Sequence, residues 1–164
     1  MHGEDSGKIT DDRSFLLHMI PHHEEAISSS EQFLKKTKNP KLVTIANGII
    51  AAQKKEVATM KSWYKSWFGT DYVADGKYAN MMPDFTSMEA AKVDARFMQN
   101  MIAHHQAAIE AARAVKPVST HPETKQLADA IILAQTKEIN EFKSLLAAMG
   151  EEDHDDTGEA EHDD

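Results

Sequence analysis

Residues 12–27, DRSFLLHMIPHHEEAI, align without gaps to residues 94–109, DARFMQNMIAHHQAAI. The same offset of 82 residues relates further pairs of identical residues, among them Pro40 and Pro122, Gln53 and Gln135, and Glu56 and Glu138. Because similarity at a fixed spacing marks an internal repeat, the chain is predicted to contain two copies of one structural unit.

Each copy is predicted to be a hairpin of two helices, because apolar residues recur at helical spacing and no strand pattern competes. The predicted helix ends are Asp12 and Lys36 for helix 1, Asn39 and Gly69 for helix 2, Thr86 for the start of helix 3, and His121 and Gly150 for helix 4. Proline in the first turn supports the starts of helices 2 and 4, and the spacing from Thr86 to Glu89 fits a capping box.

The predicted fold is all-α, a ferritin-like four-helix bundle made of two duplicated hairpins, about residues 12–68 and 87–150. The connector between the hairpins is long enough to cross the length of the bundle. Its methionines, Met81, Met82 and Met88, are predicted to cap the bundle, with an auxiliary soft-metal site as the alternative.

The composition is that of one globular domain. Of the 164 residues, 41% are hydrophobic and 27% are charged, and residues 1–150 are predicted to form that single domain. The net charge of -9 arises entirely in residues 151–164, which hold nine carboxylates and no lysine or arginine. This segment is predicted to be a disordered acidic tail.

These counts exclude several classes of function. Residues 1–150 carry 18 charges of each sign, so no basic face for nucleic acid is predicted. No apolar run is long enough to span a bilayer, and the segment MHGEDSGKITDD lacks the apolar centre of a signal peptide. Cysteine is absent, which excludes disulfides and thiolate metal sites, whereas nine histidines and nine methionines supply other metal-ligating side chains.

The repeated motif that carries chemistry is Met-x-x-His-His. It comprises Met19, His22 and His23 in the first copy and Met101, His104 and His105 in the second. Residues three or four apart lie one above the other on a helix, so each sulfur can converge with the imidazoles that follow it. Thioether and imidazole form a soft to borderline ligand set that favours copper, and Cu(I) above all.

Neighbouring residues extend this predicted site. Met98 lies in a row with Met101 and His105 on helix 3. Glu56 is predicted in the middle of an apolar stripe on helix 2, formed by Ile45, Ile49, Ala52, Met60, Trp63 and Trp67. A carboxylate in that position needs a partner, and the duplicated histidines are the nearest candidates. The further candidates, as ligands or as groups that support ligands, are His18, Glu56, Met60 and Glu138.

Other metals fit the motif less well, and a structural role stays open for the methionines. Di-iron bundles need Glu-x-x-His on two helices, and Met19 and Met101 occupy the positions of those glutamates. Zinc makes little use of methionine. Methionine on an apolar face is usually core filler. Four inward-facing imidazoles, by contrast, gain little from packing and need a partner for every ring nitrogen.

Four segments together resemble the CopM-type bacterial copper-binding family, which is largely catalogued as a domain of unknown function. They are FLLHMIPHHEEAI (residues 15–27), QKKEVATMKSWY (53–64), FMQNMIAHHQAAIEAA (97–112) and QTKEINEFKSLL (135–146). The resemblance implies a ferritin-like four-helix bundle in the periplasm or outside the cell, which binds copper or silver and takes part in metal resistance. By motif match, the family's ligand positions fall on Met19, His22, His23, Met101, His104 and His105, with Met98 as an addition.

The two halves depart from each other within this resemblance. Ala103 replaces the proline of the first motif, and Phe142 and Leu145 stand where the first hairpin has Met60 and Trp63. Unequal metal binding by the two halves is therefore compatible with the pattern.

The sequence predicts an extracytoplasmic copper-binding protein, not an enzyme, that serves in metal sequestration, transfer or resistance. Cu(I) is the favoured ion, Cu(II) is a second candidate, and Ag(I) is expected to compete. The expected partners are metal ions and other copper-handling proteins, with no nucleic acid and no membrane span. Two alternatives stay open: a metal-dependent redox enzyme such as a cuprous oxidase, which needs an open coordination position, and a non-metal interaction bundle with one exposed reactive histidine.

Overall fold

The structure, a computed structural model, describes residues 8–150. It contains four long helices: α1 (Asp12–Leu34), α2 (Pro40–Phe68), α3 (Ala90–Val115) and α4 (Pro122–Ala148). No strand occurs within the described range, so the prediction of an all-α four-helix fold is confirmed. None of these helices is long and apolar enough to cross a membrane. The predicted disordered tail, residues 151–164, lies outside the described residues.

The ends of α2 follow the predicted signals. Asn39 caps the helix, because its side-chain oxygen accepts hydrogen bonds from the backbone N–H groups of Lys41 and Leu42 at 2.9 and 3.2 Å. Pro40 occupies the first turn, where a missing N–H costs nothing. Gly69 ends the helix with φ of 82°, a left-handed conformation that suits glycine. The end of α1 was predicted two residues late, since the helix stops at Leu34.

The predicted start of α3 at Thr86 is wrong. Asp84 accepts hydrogen bonds from the Thr86 N–H at 3.0 Å and from the Thr86 hydroxyl at 2.5 Å. These bonds hold Thr86 inside a short 3-10 turn, Phe85–Ser87, which Asp84 itself caps. The backbone is extended at Met88 and at Glu89, the N-cap of α3. A local aspartate turn has therefore replaced the predicted capping box.

The helices pack as two hairpins, α1 with α2 and α3 with α4, and the hairpins meet through α1 and α3. The rings of His22 and His104 face each other midway along these two helices. Phe33, near the end of α1, stacks on Phe97, near the start of α3, with 3.9 Å between ring centroids. Helices α1 and α3 therefore run antiparallel and bring the two copies of the repeat face to face.

The core is divided into two apolar clusters at opposite ends of the bundle. We call them the Phe15 cluster, which also contains Val57 and Val115, and the Phe33 cluster, which also contains Phe97 and Phe142. Between them lies a polar layer made by the duplicated motifs, which we call the histidine layer. Its members are His22, His23, His104 and His105, each no more than 1% exposed.

The buried face of α2 differs from the predicted stripe. Ala52 is exposed, and Ile45, Trp63 and Trp67 are only partly buried. The face that is buried consists of Leu42, Ala46, Ile49, Gln53, Val57, Met60 and Tyr64. Trp67 instead stacks on His121 near the surface, with 3.6 Å between ring centroids. Glu56 therefore lies at the edge of the buried face, where its side chain is 23% exposed, and not at its centre.

The connector, residues 69–89, crosses the length of the bundle as predicted. Near its start Tyr72 contacts Tyr64 of the Phe15 cluster, with 5.8 Å between ring centroids. Near its end Phe85 is fully buried and packs edge-on against Phe97 at the opposite end of the bundle.

The connector methionines serve mainly as the predicted cap. Met82 and Met88 are partly buried and pack against the Phe33 cluster. Met81, by contrast, is 42% exposed. The cap therefore covers one end of the bundle and involves two of the three methionines.

Asp12→Ala is expected to lower the free energy of unfolding by about 2–3 kcal/mol, because three hydrogen-bond donors lose one buried acceptor. The Asp12 carboxylate, 4% exposed, accepts hydrogen bonds from the Thr120 N–H and hydroxyl and from the His121 N–H at 3.0–3.2 Å. It thereby caps the start of α4, whose N-cap His121 makes no side-chain cap. Urea denaturation measures the change.

Asp94 provides a matched control, because the repeat aligns it with Asp12. Its carboxylate accepts a hydrogen bond from the Thr37 hydroxyl at 2.7 Å. Asp94→Ala is expected to cost about 1 kcal/mol. Equal losses in the two variants would contradict the capping role of Asp12.

Candidate metal centre

The two Met-x-x-His-His segments meet where α1 and α3 cross. The rings of His22 and His104 stack across this crossing, with 3.7 Å between centroids and 26° between planes. His23 and His105 are fully buried beside them. The structure therefore brings together all four predicted histidines of the duplicated motif.

Carboxylates at the rim of the bundle bind the histidine layer. Nε2 of His23 lies 2.5 Å from Oε1 of Glu56, and Nε2 of His105 lies 2.5 Å from Oε1 of Glu138. The two contacts are equivalent under the repeat, and both glutamates remain about one-fifth exposed, at 23% and 21%. The structure thus contains the expected pairs between these carboxylates and the duplicated histidines.

These contacts determine which ring nitrogen carries the proton. An ionised carboxylate only accepts hydrogen bonds, so Nε2 of His23 and of His105 is the donor. In a neutral imidazole the other nitrogen then has a lone pair. Within residues 8–150, Nδ1 of His23, Nδ1 of His105, Nδ1 of His104 and Nε2 of His22 are buried with no hydrogen-bond partner. Buried polar atoms are normally paired, so four unpaired nitrogens in one layer are unusual and leave four lone pairs that could bind a cation.

The pKa values of the stacked pair favour the neutral form. Burial lowers the pKa of His22 well below its ordinary value of 6.5, and the neighbouring rings of His104 and His18 lower it further. Burial also lowers the pKa of His104, against the opposing effect of its hydrogen bond to Glu25. Both imidazoles are therefore neutral at pH 7, which is the form that binds metal ions.

The four methionines predicted as metal ligands, Met19, Met60, Met98 and Met101, are fully buried. Met19 and Met60 belong to the Phe15 cluster, whereas Met98 and Met101 belong to the Phe33 cluster. Thioethers therefore occur in the apolar cluster on each side of the histidine layer. His18 lies outside the layer and is partly buried, with its ring centroid 5.7 Å from that of His22.

Glu25 and Tyr78 are part of this centre, and the sequence analysis missed both. Glu25 Oε1 lies 3.2 Å from Nε2 of His104 and accepts a hydrogen bond from the Tyr78 hydroxyl at 2.6 Å. Burial alone would raise the pKa of Glu25, but hydrogen bonds from His104, Tyr78 and the Met82 N–H outweigh it and lower that pKa. A signal existed, because Glu25 aligns with Ala107 and so marks a place where the repeat is broken.

The arrangement offers buried imidazole lone pairs between two clusters that contain thioethers. Within residues 8–150, no group of three or more histidine, aspartate and glutamate side chains is arranged to hold a metal ion. Imidazole and thioether together suit a soft ion such as Cu(I). The unpaired nitrogens and the ligand types present therefore fit copper.

Comparison with known proteins identifies one family along most of the chain. The family DUF305, described as a domain of unknown function, matches residues 12–93 and again residues 94–164. CopM in the Cu(I)-bound form is 34% identical, with a TM-score of 0.77 over 84% of this chain and 96% of that one. CopM is also known in an Ag-bound form and in a Cu(II)-bound form, to which this chain is similarly related.

Two further relatives match the chain to different extents. A DUF305 protein from Streptomyces coelicolor has the same fold, with a TM-score of 0.78 at 22% identity over 86% of this chain and 94% of that one. An uncharacterized protein of Acanthamoeba polyphaga mimivirus is 40% identical over 52 residues, which are 32% of this chain and 34% of the viral protein. The chain thus matches about a third of the viral protein's length.

The metal-free protein is expected to lose stability as the pH falls from about 7 to about 5. The folded-state pKa values of His22 and His104 lie below 6.5, so the unfolded chain binds more protons in this range and stability decreases with pH. Each histidine contributes at most about 1.4 kcal/mol per pH unit. Glu25 adds a separate loss below its ordinary pKa of 4.5, because its folded-state value is also lowered.

Urea denaturation at a series of pH values, with a chelator present, measures this dependence. The double variant His22→Gln/His104→Gln should show a shallower slope between about pH 6.5 and 5. An unchanged slope in the variant would contradict the assignment of the pH dependence to the stacked pair.

Proposed function

The chain belongs to the DUF305 family, and from this premise we propose that it is a copper-binding protein that sequesters Cu(I) or transfers it to other copper-handling proteins. Its similarity to CopM, known in copper-bound and silver-bound forms, supports this function. The proposed location is the periplasm or the outside of the cell, as implied by the resemblance to CopM-type proteins. A part in copper resistance follows from sequestration there.

The unpaired ring nitrogens of the histidine layer carry this proposal. An unsatisfied buried polar atom costs about 1–3 kcal/mol. Four such atoms in one layer are costly in the metal-free state, and a cation that accepts their lone pairs compensates for that cost. The proposed ligands are Met19, His22, His23, Met98, Met101, His104 and His105.

The glutamates at the rim are proposed to support the ligands and not to bind the ion themselves. Glu56 and Glu138 hold Nε2 of His23 and His105, which directs the opposite nitrogen of each ring into the layer. Such carboxylate–histidine pairs orient the ring and make the ligating nitrogen more basic. His18 and Met60 are proposed as additional ligands at the border of the layer.

The types of ligand atom present determine which metal ion the proposed site prefers. Thioether and neutral imidazole prefer Cu(I), and Ag(I) is expected to compete for the same ligands because it is also soft. Cu(II) is a second cargo, since imidazole binds it well. The three metal-bound forms of CopM agree with this range.

Burial favours sequestration over catalysis. A metal-dependent redox enzyme keeps a coordination position open for its substrate, whereas the four imidazoles are no more than 1% exposed. Oxygen consumption by a Cu(I) solution discriminates the two functions. A sequestering protein slows the consumption of oxygen, and a cuprous oxidase accelerates it.

Calorimetric titration with Cu(I) tests the proposed ligands. His22→Gln/His104→Gln is expected to weaken the affinity at least about 100-fold, because two ligating nitrogens are lost. Met19→Leu/Met101→Leu is also expected to weaken it, with the fold retained because leucine conserves the volume of methionine. Circular dichroism establishes that each variant is folded.

Two variants serve as controls for the titration. Met149→Leu changes a methionine that is 44% exposed and lies at the end of α4, and deletion of residues 151–164 removes two further histidines. Neither change should alter Cu(I) affinity. If the deletion abolishes binding and the histidine variant still binds, the assigned site is wrong.

Glu56→Gln and Glu138→Gln are each expected to weaken Cu(I) binding about tenfold, because the ring they orient loses a charged hydrogen-bond partner. Glu31→Gln is the control, since Glu31 is an exposed carboxylate whose closest ion pair is Lys54 at 3.6 Å. Competition against a Cu(I) chelator of known affinity measures the three variants. Equal affinities in all three would exclude the supporting role.

A further inference from the structure

One segment of the connector is bound directly over the histidine layer. Two backbone donors, the N–H groups of Met81 and Met82, bind Oε2 of Glu25 at 2.7 and 2.8 Å. The Tyr78 hydroxyl donates to Oε1 of the same carboxylate at 2.6 Å. We call residues 78–82 the strap, and it is held to α1 by the partly buried carboxylate of Glu25.

The far side of the strap is also fixed. The N–H of Phe85 donates to the side-chain oxygen of Gln32 on α1 at 3.0 Å, and the Phe85 ring is fully buried. The connector before the strap contains Gly76, whose φ of 78° lies in the left-handed region. The strap therefore has a firm attachment on one side and a glycine turn on the other.

Tyr78 of the strap covers the stacked histidines. Its ring lies edge-on to His22 and to His18, with 5.6 Å between centroids in each case. Its hydroxyl lies 3.5 Å from Nε2 of His104. Tyr78 thus contacts both members of the stacked pair and occupies the space above them.

A small cavity of about 110 Å³ lies on the outer side of Tyr78. Lys8, Asp75, His18 and Tyr78 are among the residues that line it. The rings of His18 and Tyr78 also contact the ring of His22, with 5.7 and 5.6 Å between centroids. Displacement of Tyr78 would therefore remove one of the two rings that connect the lining of the cavity to the histidine pair.

The residue that attaches the strap is present in the first copy of the repeat and absent from the second. Glu25 aligns with Ala107, which has no carboxylate to hold a segment of chain. His104 also differs from His23 and His105, because its carboxylate partner accepts three further hydrogen bonds from the strap. Glu25 therefore orients His104, a proposed ligand, and also holds the strap above it.

We propose that metal ions reach and leave His22 and His104 past Tyr78, and that the hydrogen bonds between Glu25 and the strap set the rate of this exchange. The proposal rests on the proposed copper-binding function for the identity of the ion. Opening breaks contacts of the strap but leaves the four imidazoles on their helices. The rates of metal loading and of metal release should therefore both rise when the contacts of Tyr78 are removed.

Chemical modification of the metal-free protein tests access without any metal. Tyr78→Ala is expected to raise the rate at which diethyl pyrocarbonate modifies His22 and His104 by about tenfold or more, and Tyr78→Phe should raise it less because the ring is retained. Mass spectrometry of the peptides follows each histidine. Tyr72→Phe is the matched control, because Tyr72 lies in the same connector and its buried hydroxyl has no partner.

Transfer of Cu(I) from the loaded protein to a colorimetric chelator tests exchange. Tyr78→Phe removes one hydrogen bond to a charged group, so the rates of Cu(I) loading and of Cu(I) release are both expected to rise about tenfold. Tyr72→Phe should leave both unchanged. Unchanged modification of His22 and His104 in Tyr78→Ala overturns the proposal, and so does a Cu(I) transfer rate that matches the wild type.

The two proposals fail in different ways. A wild-type protein that binds neither Cu(I) nor Ag(I) refutes the proposed function, whereas modification of the metal-free protein still reports whether the strap controls access. A protein that binds Cu(I) tightly, with exchange indifferent to Tyr78, refutes the strap alone.

Discussion

The hydrogen bond between a buried imidazole and a carboxylate at the rim of the bundle is the interaction on which the centre depends. Glu56 and Glu138 anchor one ring each, and Glu25 anchors His104. Without these acceptors, both nitrogens of each ring would be buried unpaired, which an apolar interior penalises strongly. With them, one nitrogen is satisfied and its partner is left as a lone pair inside the bundle. The same contact thus permits burial and leaves the lone pairs of the proposed ligands.

The division of the core explains how the fold tolerates such a layer. Aromatic and aliphatic side chains pack at both ends of the bundle, including the parallel stack of Phe33 and Phe97. These ends supply most of the apolar burial, so the middle can carry polar rings that contribute little to stability. An ion that binds only the folded chain stabilises it by a free energy that grows with the logarithm of the ion concentration divided by its dissociation constant. Occupancy and resistance to unfolding are therefore linked.

Much of this architecture could be predicted from the repeat, and the exceptions have physical causes. Pro40 marks a helix start because proline in the first turn loses no helical hydrogen bond, and Glu56 was expected to meet a histidine because a carboxylate near the core needs a partner. The start of α3 was misplaced because two local hydrogen-bonding patterns compete around Thr86, and both use common residues. Glu25 was missed because three of its four hydrogen bonds come from the connector, which has no periodic pattern from which its path could be read.

The antiparallel contact of α1 and α3 has a consequence for the origin of the chain. Two equivalent hairpins that meet face to face, with His22 against His104, have the geometry of an isologous interface between identical subunits. A half-length chain could form the same contact with its own copy. Fusion into one polypeptide removes the requirement that both halves be identical. A carboxylate at position 25 and an alanine at position 107 can then coexist, which no symmetric homodimer permits.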